Sequence, residues 1–158
     1  LDGHGVASVW SGKGPKKTFE WQPHSLFQIP RHCWSQFSNV RGDTPARLLN
    51  YNHLPVAMSA IPDPDFFFNN PYEEPDRLYG QEEEYYSEAK VITEPGEGAW
   101  ASRGRAIWNG NFFPDMRSWD KLVPFWGRGA GGYVVQIKFP GAEMRCHMSV
   151  FDPQLYKQ

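Results

Sequence analysis

His32, Cys33 and Ser35 stand close together in LFQIPRHCWSQFSN, residues 26–39. Imidazole and thiolate are ligands for transition metals, and a thiol or hydroxyl beside an imidazole is the starting material for nucleophilic catalysis. Both chemistries need their groups on one face. In an extended chain successive side chains alternate, so Cys33 and Ser35 share a face and His32 points the other way. No Asp or Glu lies near enough in sequence to suggest a triad. The structural alternative is a turn histidine, a buried cysteine and a strand serine, since cysteine is commonly buried without chemistry. The functional reading is an incomplete metal or nucleophile cluster with His32 and Ser35 as its candidate metal residues, which a bulge would have to bring to one face.

A second group lies along residues 47–53, where Arg47, Tyr51 and His53 fall on one face of an expected strand. If that face lines a cavity, the Arg47 guanidinium can hold a carboxylate through two hydrogen bonds. A third candidate is His147 in MRCHMSVF. There Met144, Cys146 and Met148 take one face, and Arg145, His147 and Ser149 take the other. His147 reads either as a pocket residue or as a surface histidine. The glycine-rich GRGAGG (127–132) is not a phosphate loop. It lacks the terminal Gly-Lys-Ser/Thr, and a strand rather than a helix follows it. KGPKK (13–17) and the acidic run 82–84 read as solvated turn and surface.

These residues need elements to position them, and the punctuation is that of an all-β chain. Fifteen Gly and fourteen Pro cut the sequence into short apolar runs. Strands are expected at GVASVW, TFEW, SLFQI and HCWSQFSNV, with PARLLNYNHLPVAM as the longest strand. From about Ile61 to residue 105 the chain becomes rich in proline, carboxylates and aromatics. It reads as a connector held to the surface by Phe66, Phe67, Phe68 and Tyr72, with VITEPGEG as a turn-rich piece. Strands resume in AIWNGNFF, and YVVQIKF with AEMRCHMSVF forms a hairpin about Pro140–Gly141.

The composition bounds the class. A 40% apolar and 16% aromatic chain of 158 residues is globular. A net charge of −2 without a Lys/Arg stripe gives no reason to expect nucleic acid. No run approaches the roughly 18 apolar residues of a membrane span, and no signal peptide opens the sequence. Two cysteines make no disulfide framework, so a cytoplasmic protein with free thiols is expected. The sequence begins on Leu1 in a turn before a strand and ends shortly after one, as an internal piece of a longer protein would.

The turn–strand–turn–strand of residues 24–39 resembles the second conserved motif of the cupin superfamily. That motif runs Gly, five residues, Pro, one residue, Gly, two residues, His, three residues, Asn. Pro30 and Asn39 fall on its Pro and Asn. His24 and His32 fall on its two glycines, and Ser35 falls on its metal-binding histidine. Residues 111–151 look like the lead-in strands of a further cupin barrel. The resemblance implies a double-stranded β-helix, the jelly-roll barrel, in a bicupin layout. Residues 1–60 are then the C-terminal part of a first barrel, 61–105 a connector, and 106–158 the N-terminal strands of a second. Hydroxyl is a poor ligand for the Fe, Mn, Ni, Cu or Zn that cupins use. Ser35 therefore argues against a metal in the first barrel. The ligands of the second, for a divalent transition metal such as Fe, Mn, Ni or Zn, would lie beyond Gln158.

Three functions follow as expectations. One is a metal-dependent enzyme, a dioxygenase or decarboxylase acting on a small organic acid or aromatic compound. Another is a metal-free barrel that binds a small molecule as a sensor or carrier. The last is a structural or oligomerising module. Two half-barrels would expose unpaired edges, so pairing with another copy is expected.

Overall fold

The computed structural model describes residues 2–12, 14–71, 83–94, 105–121, 125–126, 133–142, 144–151 and 153–154. Strands dominate, with ten of them against two short α-helices and one 3₁₀ helix among the described residues. They do not close into a barrel there.

The first sheet is antiparallel. Strand β1 (Gly5–Trp10) lies between β2 (Lys17–Trp21) and β4 (Trp34–Asn39). The register places Gly5, Ala7 and Val9 beside Trp21, Phe19 and Lys17 on one side and beside Asn39, Phe37 and Ser35 on the other. One face therefore carries Ala7, Val9, Phe19, Trp21 and Phe37, and its Ala7, Val9 and Trp21 are buried. The opposite face carries Ser8, Thr18, Glu20 and Gln36 with Trp10 and Trp34 paired across strands. Lys16 Nζ sits 4.2 Å above the Trp10 ring, a cation–π contact.

The second sheet holds the main core. Strand β9 (Tyr133–Lys138) pairs antiparallel with β10 (Arg145–Val150) along one edge. Along the other it pairs parallel with β6 (Arg105–Asn109) and antiparallel with the short β8 (Phe125–Trp126). Beyond β6 lies β5 (Lys90–Glu94). Alternation in YVVQIKF sends Val135 and Ile137 inward, followed by Phe139, and they meet Trp108 and Phe113 in the buried cluster. The hairpin turns on Pro140 and Gly141. Gly141 takes φ +80°, and Ala142 N–H donates to Phe139 O at 3.1 Å, the geometry of a type II turn. Cys146 and Met148 pack against the cluster from β10, as their alternation requires.

The two sheets are joined by a two-stranded ladder. Strand β3 (Leu26–Phe27) pairs with β7 (Phe112–Phe113). Leu26 packs on the main core. Phe27 enters an aromatic group in which the Phe19 ring lies 5.0 Å from Phe27, 5.1 Å from Phe112 and 4.3 Å from Tyr86.

Three sequence expectations need correction. PARLLNYNHLPVAM is not a strand. Arg47 alone pairs with Asp2, and helix α1 (Leu54–Ala60) begins a few residues later. Asn52 Oδ1 accepts from Leu54 N–H at 2.8 Å and Pro55 occupies the first helical turn, so this chemistry starts a helix where no described strand offers a ladder. VITE is not turn-rich loop; it is β5, completed by pairing with β6. Phe66 and Phe68 do not seal a connector onto the surface. They lie in helix α2 (Pro64–Phe68), capped by Asp63, and are 48% and 65% exposed. Tyr72 and GRGAGG lie outside the described residues.

Gly110 is fixed by a close approach. A Cβ there would stand 2.6 Å from Ala89 Cα and Cβ, where β5 enters the sheet beside β6. Gly110→Ala should lower stability by about 1–3 kcal/mol, read as a fall in the urea midpoint at unchanged slope. An unchanged midpoint would show that the approach of Ala89 is not a constraint.

Candidate functional site

A half-open cleft of about 280 Å³ lies at the end of the first sheet where β7 reaches it. Its walls come from His4, Gly5, Glu20, Trp21, Gln22, Ser25, Val40, Phe112 and Pro114. Several locally encoded features build it. Gly5 pairs with Trp21, and a Cβ on Gly5 would collide with the indole ring and stand 2.6 Å from Ser38 O. A glycine at this strand position therefore lets the tryptophan lie across β1 and form the floor. Val40 N–H donates to His4 O at 3.2 Å, drawing the exit of β4 over the start of β1.

Ser25 closes the far wall. Its buried hydroxyl donates to Pro114 O at 2.7 Å and accepts from Gln22 N–H at 3.0 Å. Both bonds are structural, and they tie the first sheet to the chain after β7. Beside it Met116 N–H donates to His24 O at 2.9 Å. Asp115 Oδ1 accepts from Arg117 N–H at 2.9 Å and its carboxylate holds the Arg117 guanidinium, starting the 3₁₀ helix Met116–Lys121. The Arg117 hydrogen bonds hold the Asp115 carboxyl down to about 2. A folded-state value below the ordinary one means that this contact is present above about pH 4 and lost as pH falls toward 2.

The floor contains an unpaired donor. Trp21 is 3% exposed, and its indole N–H has no hydrogen-bond partner among the described residues. An unmade hydrogen bond at a buried group costs about 1–3 kcal/mol, and this donor is closed off from solvent on the edge of the ring that lies against Gly5, so the ring and not its N–H faces the cleft. Tyr86, by contrast, is satisfied. Its hydroxyl donates to Gln28 O at 2.8 Å, and burial first, then Tyr85 and Cys33, push its pKa well above the ordinary phenol value. Tyr86 stays neutral and is no base at physiological pH.

The sequence candidates do not meet in this cleft. Ser35 lies exposed on β4 opposite Val9, and His32 is exposed in the turn before it. Arg47 lies beside Asp2 with its guanidinium 3.9 Å from the carboxylate, both side chains mostly in solvent. Tyr51 is 76% exposed, His53 occupies the N-cap of α1, and His147 is exposed on β10 opposite Gln136. Among the described residues no three His, Cys, Asp or Glu side chains are gathered as a metal would need. No described helix is long and apolar enough to cross a membrane. His4, Glu20, Trp21 and Phe112 escaped sequence reasoning because only the fold brings residues so distant in the chain together. The local signal was Gly5, the residue that opens the strand GVASVW.

The backbone at the two histidines is informative. His24 takes φ +68° and His32 φ +57°, both left-handed. Such a φ costs an L-residue roughly 1–2 kcal/mol and is the conformation in which glycine is at ease.

Compared with family models, with curated proteins and with solved structures, the chain finds no match in any of the three.

The strain at His24 sets a test. His24→Gly should leave stability within about 1 kcal/mol of the parent, because relief of strain offsets the added chain entropy. His24→Val should cost about 1–2 kcal/mol more than the glycine variant. Equal urea midpoints for the two variants would show that the left-handed φ is not populated.

Proposed function

We propose that the protein is a cupin-type β module that binds a small aromatic compound carrying a hydrogen-bond acceptor, without a metal in the half formed by residues 1–60. The observation that carries the cupin-type assignment is the backbone at His24 and His32. The resemblance puts glycine at just these two positions, and both are left-handed. A left-handed residue at each glycine position of the motif supports the resemblance. Pro30 is buried between them, and Asn39 closes the motif by donating from Nδ2 to Thr44 O at 2.7 Å and accepting from Arg41 N–H at 3.0 Å.

The ligand class follows from the cleft. About 280 Å³ suits a single substituted ring rather than a drug-sized molecule. Trp21, Val40, Phe112 and Pro114 supply apolar wall, and His4, Glu20 and Gln22 supply polar groups at the rim. His4 and Gln22 can donate to a carbonyl, carboxylate or ether oxygen on the ring. Ser35 at the position of the metal-binding histidine supports the metal-free reading. The metal-dependent dioxygenase or decarboxylase rests on the resemblance alone, with its ligands outside the described residues.

The test is a titration of the ¹⁵N-labelled protein with simple ring compounds such as benzoate, benzamide and benzyl alcohol. Binding should move the Trp21 indole resonance together with those of Gly5 and Val40. Replacing His4 by Ala should weaken that binding roughly 3- to 10-fold, the loss of one modest hydrogen bond, and Glu20→Gln, which removes a like charge from the rim, should tighten benzoate relative to benzamide. Shifts that spare Trp21, or an affinity blind to both substitutions, would rule out this cleft as the binding site.

A further inference from the structure

We propose that two copies of this chain associate through strand β4, edge to edge and antiparallel about a two-fold axis. Three observations carry it. The strand ends the first sheet, and all six of its residues are exposed. Its sequence, WSQFSN, has no charge and no proline. Sheet edges in solution are normally guarded by charges, proline or bulges. The other edge of the same sheet obeys that rule, since β2 carries Lys17 and Glu20. The unguarded edge is therefore a particular property of β4.

The exposed apolar side chains cluster in sequence around it. Trp34, Phe37, Val40, Leu48, Leu49, Tyr51, Leu54, Val56, Ile61, Phe66 and Phe68 are all at least a third exposed, and α1 and α2 bury no residue. At roughly 150–250 Å² for a whole aromatic side chain, Trp34 and Phe37 with Val40 at the strand's end leave a few hundred Å² of exposed apolar surface along β4 itself. That is below the roughly 800 Å² per partner of a standard interface, so the contact belongs to the weak, concentration-dependent class.

A second copy suits this surface better than an unrelated strand. An antiparallel pair of identical strands is symmetric, so one two-fold contact satisfies both edges and stops further growth. Charge does not oppose it. Residues 34–68 carry Arg41, Asp43, Arg47, Asp63 and Asp65, close to neutral, and the whole chain carries only −2. The pairing rests on β4 alone, so it stands or falls independently of the ligand proposed for the cleft.

Sedimentation and light scattering from about 1 to about 200 µM should show the mass rising from 18.2 kDa to twice that value. Hydrogen exchange should slow at the β4 amides as concentration rises. Gln36→Lys puts a charge on the exposed edge, the guard that sheet edges normally carry. It should raise the dimer Kd at least tenfold and leave the monomer's circular dichroism unchanged. A chain that stays monomeric over this range overturns the proposal. So does a dimer whose Kd ignores Gln36→Lys and whose β4 amides exchange at a concentration-independent rate.

Discussion

Leu26 and Phe27 on β3 face Phe113 and Phe112 on β7, and this short ladder joins the two sheets. It is reinforced on both sides. Ser25 hydroxyl bonds Pro114 O, and Gln28 N–H donates to Asn111 O at 3.0 Å. Leu26 enters the core built on Trp108, Val135 and Ile137, while Phe27 enters the ring cluster of Phe19, Phe112 and Tyr86. Two residues could not hold two sheets by backbone bonds alone, since each such bond contributes only about 1 kcal/mol net. The apolar side chains on either face of the ladder do most of the holding. The cleft inherits its rigidity from this joint, because Phe112 and Pro114 form one wall and Trp21 and Val40 the others.

Much of the fold could be read from the residues. GVASVW and YVVQIKF form strands as their turns and β-forming residues require, HCWSQFSNV does so only over Trp34–Asn39 with His32 left in the turn, and Pro140–Gly141 makes the hairpin its sequence announces. In these cases local chemistry and long-range pairing agree. The stretch from residue 45 to 58 failed because apolar content was taken for strand. A strand exists only with a partner, and among the described residues only Arg47 has one, in Asp2. Without a ladder, the local signals of Asn52 and Pro55 prevail and the chain turns helical. The face expected to align Arg47, Tyr51 and His53 disappears with that strand.

The cleft was invisible for a different reason. His4 and Phe112 are far apart in sequence, and neither belongs to a motif. What the sequence did carry was the shape of the turn beneath it. His24 and His32 both hold a left-handed φ. Histidine is among the few L-residues enriched there.

The unguarded edge and the cleft are not independent regions. Val40 directly follows β4, is 58% exposed, and bonds His4 O while lining the cleft. Asn39, the last residue of β4, pairs with Gly5, which carries the Trp21 indole across it. The strand is held to the body only through its ladder with β1, because its outer edge pairs with no described strand. An edge strand held on one side frays more readily than one held on both. Whatever orders β4 from outside therefore also orders Val40 and the His4 backbone, and so stiffens one wall of the cleft without touching a ligand.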